Sequence, residues 1–405
     1  YIWYNAEGIE IQDPNALDVG YGISPALVDP EQDRVSLESF KDYDPQINVM
    51  PRISFSFPIS DEALFFAHYD VLTQRPTSNS YTSPATWYYF NFTGNTINNP
   101  NLEPTKTIDY ELGFTQRLTA SSSLTLTAFY REMRNMLQIY RFNGAYPKDY
   151  TSYNNIDFGT VNGITAEYDL RRTKNLRLRA AYTLQFADAT GSSTTTAASL
   201  IAAGLPNLRS TYPMPWDRRH QFNIVLDYRW ASGKNYNGPR TERKNGKPPI
   251  DWLSNTGFNF TLIGGSGTPY TASRNVTSPI SGGTNLLKGT YSGSRLPWQF
   301  RFDIRIDKDI YFNLRKPKEG KEGRQAYLNV YFQILNLLNT KNVINVYPYT
   351  GNPDDDGYLA APEWQRQINN QLDPQAFRDL YGVFVNNPGN YSTPRQIRFG
   401  LMFNF

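Results

Sequence analysis

The strongest constraint in this sequence is a strict alternation of apolar and polar residues. In residues 298–307, WQFRFDIRID, every second side chain is apolar, and those between are Gln, Arg or Asp. Successive side chains of a β-strand point to opposite faces, so this pattern predicts a strand with one apolar face. A helix would scatter both sets around its surface. The same alternation occurs in residues 176–186 and 220–230, and the chain ends on it at residues 396–405.

Alternation predicts eleven strands in the whole chain. Many have about ten residues or more, which exceeds the usual strand of a soluble sheet and matches a tilted strand that crosses a bilayer. The predicted strands are 51–58, 63–72, 108–118, 123–139, 158–170, 176–186, 219–230, 256–270, 298–307, 326–337 and 395–405.

The connections between the predicted strands alternate in length. Short links near 58–62, 118–123 and 171–175 take turns with long ones, although two links on the short side, 231–255 and 313–325, are longer. Outer-membrane barrels have short turns at one end and long loops at the other, whereas a soluble sandwich has no reason to alternate. The long links are 73–107, 140–157, 190–218, 271–297 and 338–394.

The aromatic residues indicate which solvent the apolar faces meet. Alternation alone also fits a soluble sandwich, in which the apolar face packs on a second sheet. However, the chain has 29 Tyr, 24 Phe and 7 Trp, and several lie near the ends of the apolar stripes, where membrane proteins place aromatic belts. These are Trp298, Tyr130, Tyr182, Tyr228, Trp230 and the terminal phenylalanines. The sequence therefore predicts a transmembrane antiparallel β-barrel in contact with lipid.

Charge and motifs argue against several other classes of protein. The 40 basic and 37 acidic residues nearly cancel, so no nucleic-acid partner is implied, and without cysteine the chain has no disulfide or thiolate site. No serine elbow, phosphate-binding glycine loop or His–Glu zinc motif occurs, which predicts that the chain is not an enzyme. Of the two histidines, His68 is predicted to face the lumen and His220 to serve the start of its strand and loop packing.

One loop resembles the template of a calcium-binding loop. In NPDDDGYLAAPE, template positions 1, 3, 5, 7 and 12 are occupied by Asn352, Asp354, Asp356, Tyr358 and Glu363, and Gly357 allows the sharp turn. Alternate oxygen ligands suit a hard cation, so this loop is a candidate Ca²⁺ site. The bound ion would hold the loop in one conformation. The alternative is an ordinary polar turn, since the preceding element is a strand and Pro353 stiffens the loop.

Two further loop segments are candidates for function. Residues after Glu363 are helix-like, with Asp373 and Pro374 as a second helix start, so a folded cap is expected on the loop 338–394. In TWYYFNF, Trp87, Tyr88 and Tyr89 could stack on a sugar or cofactor ring, or simply pack the loop. We take them as candidate substrate contacts.

Several stretches, taken in order, resemble the TonB-dependent outer-membrane transporters, particularly the large ones typical of Bacteroidota. NPNLEPTKTIDYELGFTQRL resembles the family's Asn-Pro-x-Leu-x-Pro-Glu segment and following strand, with Thr105 in place of the usual acidic residue. FGTVNGITAEYDL resembles a family strand, WDRRHQFNIVLDYRW the start of another, and NVYFQILNLLNTKNVINVY the penultimate strand with its Asn-Leu-x-Asn end. GSGTPYT and the terminal Phe also match family features. The resemblance covers nearly all of residues 50–405.

The resemblance implies a barrel of about 22 strands with an N-terminal plug inside. On that basis, residues 51–405 are expected to form the C-terminal half of the barrel, and residues 1–50 an extracellular loop after an upstream strand. It places the C-terminus in the periplasm and every long loop, including 338–394, outside the cell. The implied partners are outer-membrane lipids, the plug and remaining strands, the TonB complex and a substrate-binding surface lipoprotein.

The expected function is active uptake of a glycan, peptide or metal chelate across the bacterial outer membrane. Two alternatives remain open at this point. A barrel of the same ancestry could serve as a structural scaffold in a surface or secretion assembly, and a secreted carbohydrate-binding β-sandwich would show a similar alternation. The sequence does not identify the substrate.

Overall fold

Eleven long strands form one antiparallel sheet, in which each strand pairs with the next long strand along the chain. The computed structural model describes residues 45–76, 96–143, 150–205, 207, 209–243, 249–276, 286–315 and 324–404. The eleven strands are β1 (Arg52–Ser60), β2 (Ala63–Gln74), β3 (Thr105–Thr119), β4 (Ser122–Phe142), β5 (Tyr150–Thr173), β6 (Leu176–Ala189), β8 (His220–Arg229), β11 (Thr256–Gly265), β14 (Gln299–Arg315), β15 (Arg324–Leu335) and β16 (Gln396–Asn404).

The remaining elements are short and lie in the connections. Strand β7 (Tyr212–Pro213) pairs with the end of β6. Two small ribbons form from β9 (Arg240–Thr241) with β10 (Ile250–Asp251), and from β12 (Pro269–Tyr270) with β13 (Ser294–Arg295). The helices are α1 (Ala198–Ala202), α2 (Gln365–Asn369) and α3 (Pro374–Val385), and short 3₁₀ turns lie at Gly233–Asn235, Pro362–Trp364 and Pro388–Asn390.

The predicted sheet of eleven antiparallel strands is confirmed, with two kinds of correction. The predicted strand 256–270 is broken, because β11 ends at Gly265 and the chain pairs again only in β12. A Cβ at Gly267 would lie 1.9 Å from the Leu296 carbonyl oxygen, so the two backbones touch at this break. Strands β4, β5 and β14 are longer than predicted; β5, for example, begins at Tyr150 and not at residue 158.

The two faces of the sheet differ as the alternation requires. On β16 the apolar residues Ile397, Phe399, Leu401 and Phe403 are at least half exposed. The pattern continues on the central strands, where Phe300 is 43% exposed while Asp303 and Asp307 on the opposite face are less than one-tenth exposed. Exposed apolar side chains beside buried carboxylates invert the arrangement of a water-soluble protein and suit a wall between lipid and an enclosed interior.

Several glycines accommodate an aromatic ring from the neighbouring strand. On the inner face the Phe66 ring lies over Gly113, the Phe129 ring over Gly163, and the Tyr331 ring over Gly400. A Cβ at Gly113 would lie 1.9 Å from the Phe66 ring, and one at Gly400 would lie 2.3 Å from the Tyr331 ring. These rings therefore lie flat against the sheet because the opposing residue has no side chain.

The sheet does not close on itself, since β1 and β16 do not pair with each other. Among the described residues, no helix is both long and apolar enough to cross a membrane.

Candidate functional site

Aromatic residues line the apolar face near both ends of the strands. At the end of β8 nearer the long loops, His220 stacks on Trp298 with ring centroids 5.4 Å apart. At the other end, Trp230 packs on Phe258 at 5.5 Å. Ten residues separate His220 from Trp230, which is about 33 Å along a strand and about 25 Å across a membrane at a tilt of about 40°. That height matches the apolar band of an outer-membrane barrel.

The inner face carries cross-strand networks of charged residues near the short-turn end. Arg229 on β8 donates to Asp307 at 2.5 Å and to Asp309 at 3.2 Å, both on β14. Asn329 on β15 donates to Asp309 at 2.6 Å. A Cβ at Gly257, on the intervening β11, would lie 2.6 Å from the Arg229 guanidinium, so this glycine makes room for the network. The network thus joins β8, β14 and β15 on the inner face and passes over the glycine of β11.

Other inner-face arginines are paired in smaller units. Arg301 bonds Asp303 at 3.0 Å, and Arg179 lies 3.3 Å from Asp169. Arg305 forms no ion pair with a carboxylate of the described residues, and its guanidinium carbon lies 4.2 Å from the Tyr331 ring centroid. The pairs indicate that these arginines form charge networks along the wall and not one anion site.

The long loop 338–394 folds into a cap with a small core of its own. The core consists of Tyr358, Ile368, Tyr381 and Val385 from the cap, which are all buried, and Val276 from the loop after β12. Helix α3 begins at Pro374, and the Asp373 side chain accepts hydrogen bonds from the first-turn amides of Gln375 and Ala376. This is the N-cap arrangement expected from the Asp-Pro pair.

Asparagines fix the base of the cap to the sheet. Asn336, which directly follows β15, is 2% exposed and left-handed at φ 54°, and its side chain bonds the backbone of Thr340 and Thr393. The Asn342 side chain exchanges two hydrogen bonds with the Phe300 backbone, at 2.8 and 2.9 Å, as a neighbouring strand would. The cap is therefore attached to β14 and β15 as an extension of the wall.

The candidate calcium residues lie in this cap, and the structure gives two of the carboxylates protein partners. Asp356 is buried, and it accepts from the Tyr358 backbone amide at 3.0 Å and from the Tyr381 hydroxyl at 2.5 Å. Asp354 accepts from the Tyr391 hydroxyl at 2.5 Å. Glu363 lies in the exposed turn that precedes α2.

These contacts shape the electrostatics of the loop. The Tyr391 hydroxyl donates a hydrogen bond to the Asp354 carboxylate, and this bond raises the pKa of Tyr391. Desolvation raises it further. Burial raises the pKa of Tyr358, whose hydroxyl has no hydrogen-bond partner among the described residues. Within the described part of the chain, no three His, Cys, Asp or Glu side chains gather as metal ligands do. Calcium binding by Asn352, Asp354, Asp356, Tyr358 and Glu363 stays a prediction.

The other candidate residues have different outcomes. Trp87, Tyr88 and Tyr89 lie outside the described residues, so their role as substrate contacts also stays a prediction. His68 lies on the inner face, 2.8 Å from the Ser54 hydroxyl. His220 lies at the start of β8 and bonds the Tyr182 hydroxyl at 2.8 Å.

Comparison with known protein families identifies the class of protein to which this sheet belongs. The family described as TonB dependent receptor-like, beta-barrel matches residues 32–337, which is more than half of the 405 residues. The chain belongs to this family. A TonB-dependent receptor-like barrel is an outer-membrane protein, so the chain is located in the bacterial outer membrane, with its apolar face toward lipid. The prediction of the family is confirmed, and its Bacteroidota type stays a prediction.

Solved receptor structures resemble this receptor-like chain in part. FpvA of Pseudomonas aeruginosa, solved with heterologous pyoverdines, is 11% identical with a TM-score of 0.47, and the match covers 88% of this chain and 33% of that one. The outer-membrane transporter YddB of Escherichia coli is 11% identical with a TM-score of 0.45, and the match covers 73% and 38%. The chain thus spans about a third of the length of these structures. No functionally curated protein matches it.

Sequence reasoning missed the asparagines that fix the cap of the receptor-like chain. It did not predict that the side chains of Asn336, Asn342 and Asn390 bond the backbone there. Asn390 is 3% exposed and donates to the Pro353 carbonyl at 2.6 Å. The available signal was the Asn-Leu-x-Asn end of the penultimate strand, because asparagine is the common non-glycine residue in left-handed conformations.

Proposed function

We propose that this chain forms part of the barrel wall of a receptor that imports a nutrient across the outer membrane, with energy supplied through TonB. The observation that carries the proposal is the family match over residues 32–337. The sheet supports it, since it separates an apolar outer face from a charged inner face. The chain would provide the wall and the capturing loops, and it would catalyse no reaction.

The proposal includes partners that act on the whole protein. A plug domain and further strands would complete the barrel, and the TonB complex would pull on the plug to open a passage. A surface lipoprotein could deliver the substrate. The substrate would be a glycan, a peptide or a metal chelate, contacted in part by Trp87, Tyr88 and Tyr89, because aromatic rings stack on sugars and on planar chelates.

The test is uptake by the native bacterium. The gene would be deleted and restored with the full-length protein, and uptake of defined glycans, peptides and metal chelates would be measured with TonB present and absent. We expect one class to enter only when both proteins are present. If every class enters normally without the receptor while a surface assembly is lost, the scaffold function is correct and import is refuted.

A second comparison tests the aromatic loop. Substitution of Trp87, Tyr88 and Tyr89 by alanine should raise the substrate concentration needed for half-maximal uptake about tenfold or more. Trp252→Ala is the matched control, because Trp252 is exposed but lies between β10 and β11, at the short-turn end of the barrel. Equal uptake by the triple variant and the control would remove these residues from the site.

A further inference from the structure

Just before β8, at its long-loop end, a cation lies against the lipid-facing side of the sheet. The Arg219 guanidinium carbon is 5.2 Å from the centroid of the Phe186 ring. Phe186 is 37% exposed, and the strand register places it in one row with Tyr69, Tyr110 and Tyr130 of the apolar face. Arg219 therefore lies over the aromatic belt.

Arg219 lacks a strong partner of its own. Its Nε has no hydrogen-bond partner within the described part of the chain, and the Asp217 carboxylate is 3.9 Å away. Asp217 is 1% exposed and is already engaged by Arg295 and by the Ala187 backbone amide. Arg218, which precedes Arg219 in the chain, donates to the neutral side chain of Gln299. Two guanidinium groups, those of Arg219 and Arg295, thus share the Asp217 carboxylate, and the shorter contact belongs to Arg295.

The surplus positive charge is accessible. The Arg219 side chain is 43% exposed, whereas that of Asp217 is 2% exposed. A cation at the edge of the hydrocarbon has lost part of its hydration, so an anionic partner there stabilises it more than one in open water would. The guanidinium fork matches the geometry of a phosphate.

A row of rings adjoins this cation and continues toward the middle of the membrane. His220 stacks against Tyr182 and against Trp298, and Trp298 stacks on Phe300 with centroids 6.1 Å apart. Trp298 is 50% exposed and Phe300 is 43% exposed. This surface suits an amphiphilic ligand, because it has a positive charge at the membrane interface and an apolar surface below it.

We propose that Arg219 binds the phosphate headgroup of an outer-leaflet lipid, whose hydrocarbon lies along the row of Trp298 and Phe300. The site is separate from the lumen and from the cap core. It would hold the receptor in a defined lipid environment at the start of β8. The proposal depends on the membrane location of the chain and not on which nutrient is imported.

Native mass spectrometry of the full-length receptor in detergent tests the assignment. The receptor would be titrated with dioleoylphosphatidic acid and with dioleoylglycerol, which has the same acyl chains without the phosphate. We expect the phosphorylated lipid to bind more tightly, and Arg219→Gln to weaken it about tenfold, as loss of a charge-assisted hydrogen bond predicts. Arg219→Lys, which keeps the charge and loses the fork, should weaken it less. Arg366→Gln, in the exposed part of the cap, is the matched control and should leave binding unchanged.

Three results would overturn the proposal. Equal binding of the two lipids would mean that only the apolar surface is recognised. Unchanged affinity in Arg219→Gln, with strand content preserved by circular dichroism, would remove Arg219 from the site. Competition by inorganic phosphate at the concentration of the lipid would assign the site to a free anion.

Trp298→Leu should weaken the binding of both lipids alike, which separates the apolar contribution from that of the phosphate.

Discussion

Asn336 offers the sharpest test of how the cap is attached. Its side-chain amide donates to the Thr340 and Thr393 carbonyls, at 3.1 and 3.3 Å, and its oxygen accepts from the Thr340 amide at 2.9 Å. Its φ is 54°, a conformation that asparagine tolerates and alanine does not. Asn336→Ala therefore removes three hydrogen bonds and strains the backbone at one position.

The expected loss follows from these contacts. Two of the three bonds are long and partly accessible, so together the three contribute about 2 kcal/mol, and alanine in the left-handed region costs about 1 kcal/mol more. A local loss of about 3 kcal/mol corresponds to exchange roughly 150-fold faster for amides protected by this structure. Asn336→Gly loses the same bonds without the strain, so it should accelerate exchange roughly 30-fold.

Hydrogen exchange read by mass spectrometry on the intact receptor measures this effect at residues 336–345 and 391–395. Leu338→Ala is the control, because Leu338 is 70% exposed and adjoins the same turn. The reasoning is refuted if Asn336→Ala exchanges like wild type in these peptides. An equal acceleration for Ala and Gly would refute the strain contribution alone.

Three further outcomes are expected. Arg229→Gln breaks the inner-face network with Asp307 and Asp309, and it should lower stability by about 1–3 kcal/mol, measured as a lower thermal unfolding temperature; an unchanged temperature would contradict this. The raised pKa of Tyr391 means that its bond to Asp354 stabilises the cap below the ordinary tyrosine pKa and is lost as pH rises through the raised value. Proteolysis of the cap should therefore accelerate at strongly alkaline pH, less so in Tyr391→Phe. Calcium titration by calorimetry should reveal a site that Asp354→Ala with Asp356→Ala abolishes; indifference of wild type to calcium and chelator would end that prediction.

The strands were predictable where lipid meets one face and the lumen meets the other. In residues 298–306 the two environments impose opposite residue types at every step, so the alternation is complete. The N-terminal part of β5, TSYNNID, escaped prediction because its polar side chains show no alternation. There the strand is specified by pairing with β4, and a sequence pattern does not record pairing.

The cap shows the complementary limit. Its helix α3 could be anticipated from Asp373 and Pro374, because capping is a local effect. Its core could not, since Val276 and Tyr358 are distant in sequence and no periodicity links them. The loop that contains Trp87 could be recognised only by its high aromatic content, and aromatic content does not predict which surface each ring contacts.

The aromatic rings that lie flat over Gly113, Gly163 and Gly400 determine how far side chains project from the inner face of the sheet. Each ring occupies the space that a side chain on the adjacent strand would have filled, so it projects less far from the inner face than its size suggests. An alanine at Gly113 or Gly400 would push the facing ring away from the sheet into the interior, whereas a Cβ at Gly163 would lie 2.3 Å from the Leu184 carbonyl oxygen of the adjacent backbone. A single methyl group at Gly113 or Gly400 would thus change how far aromatic side chains project from the inner face, without a change in the number of strands.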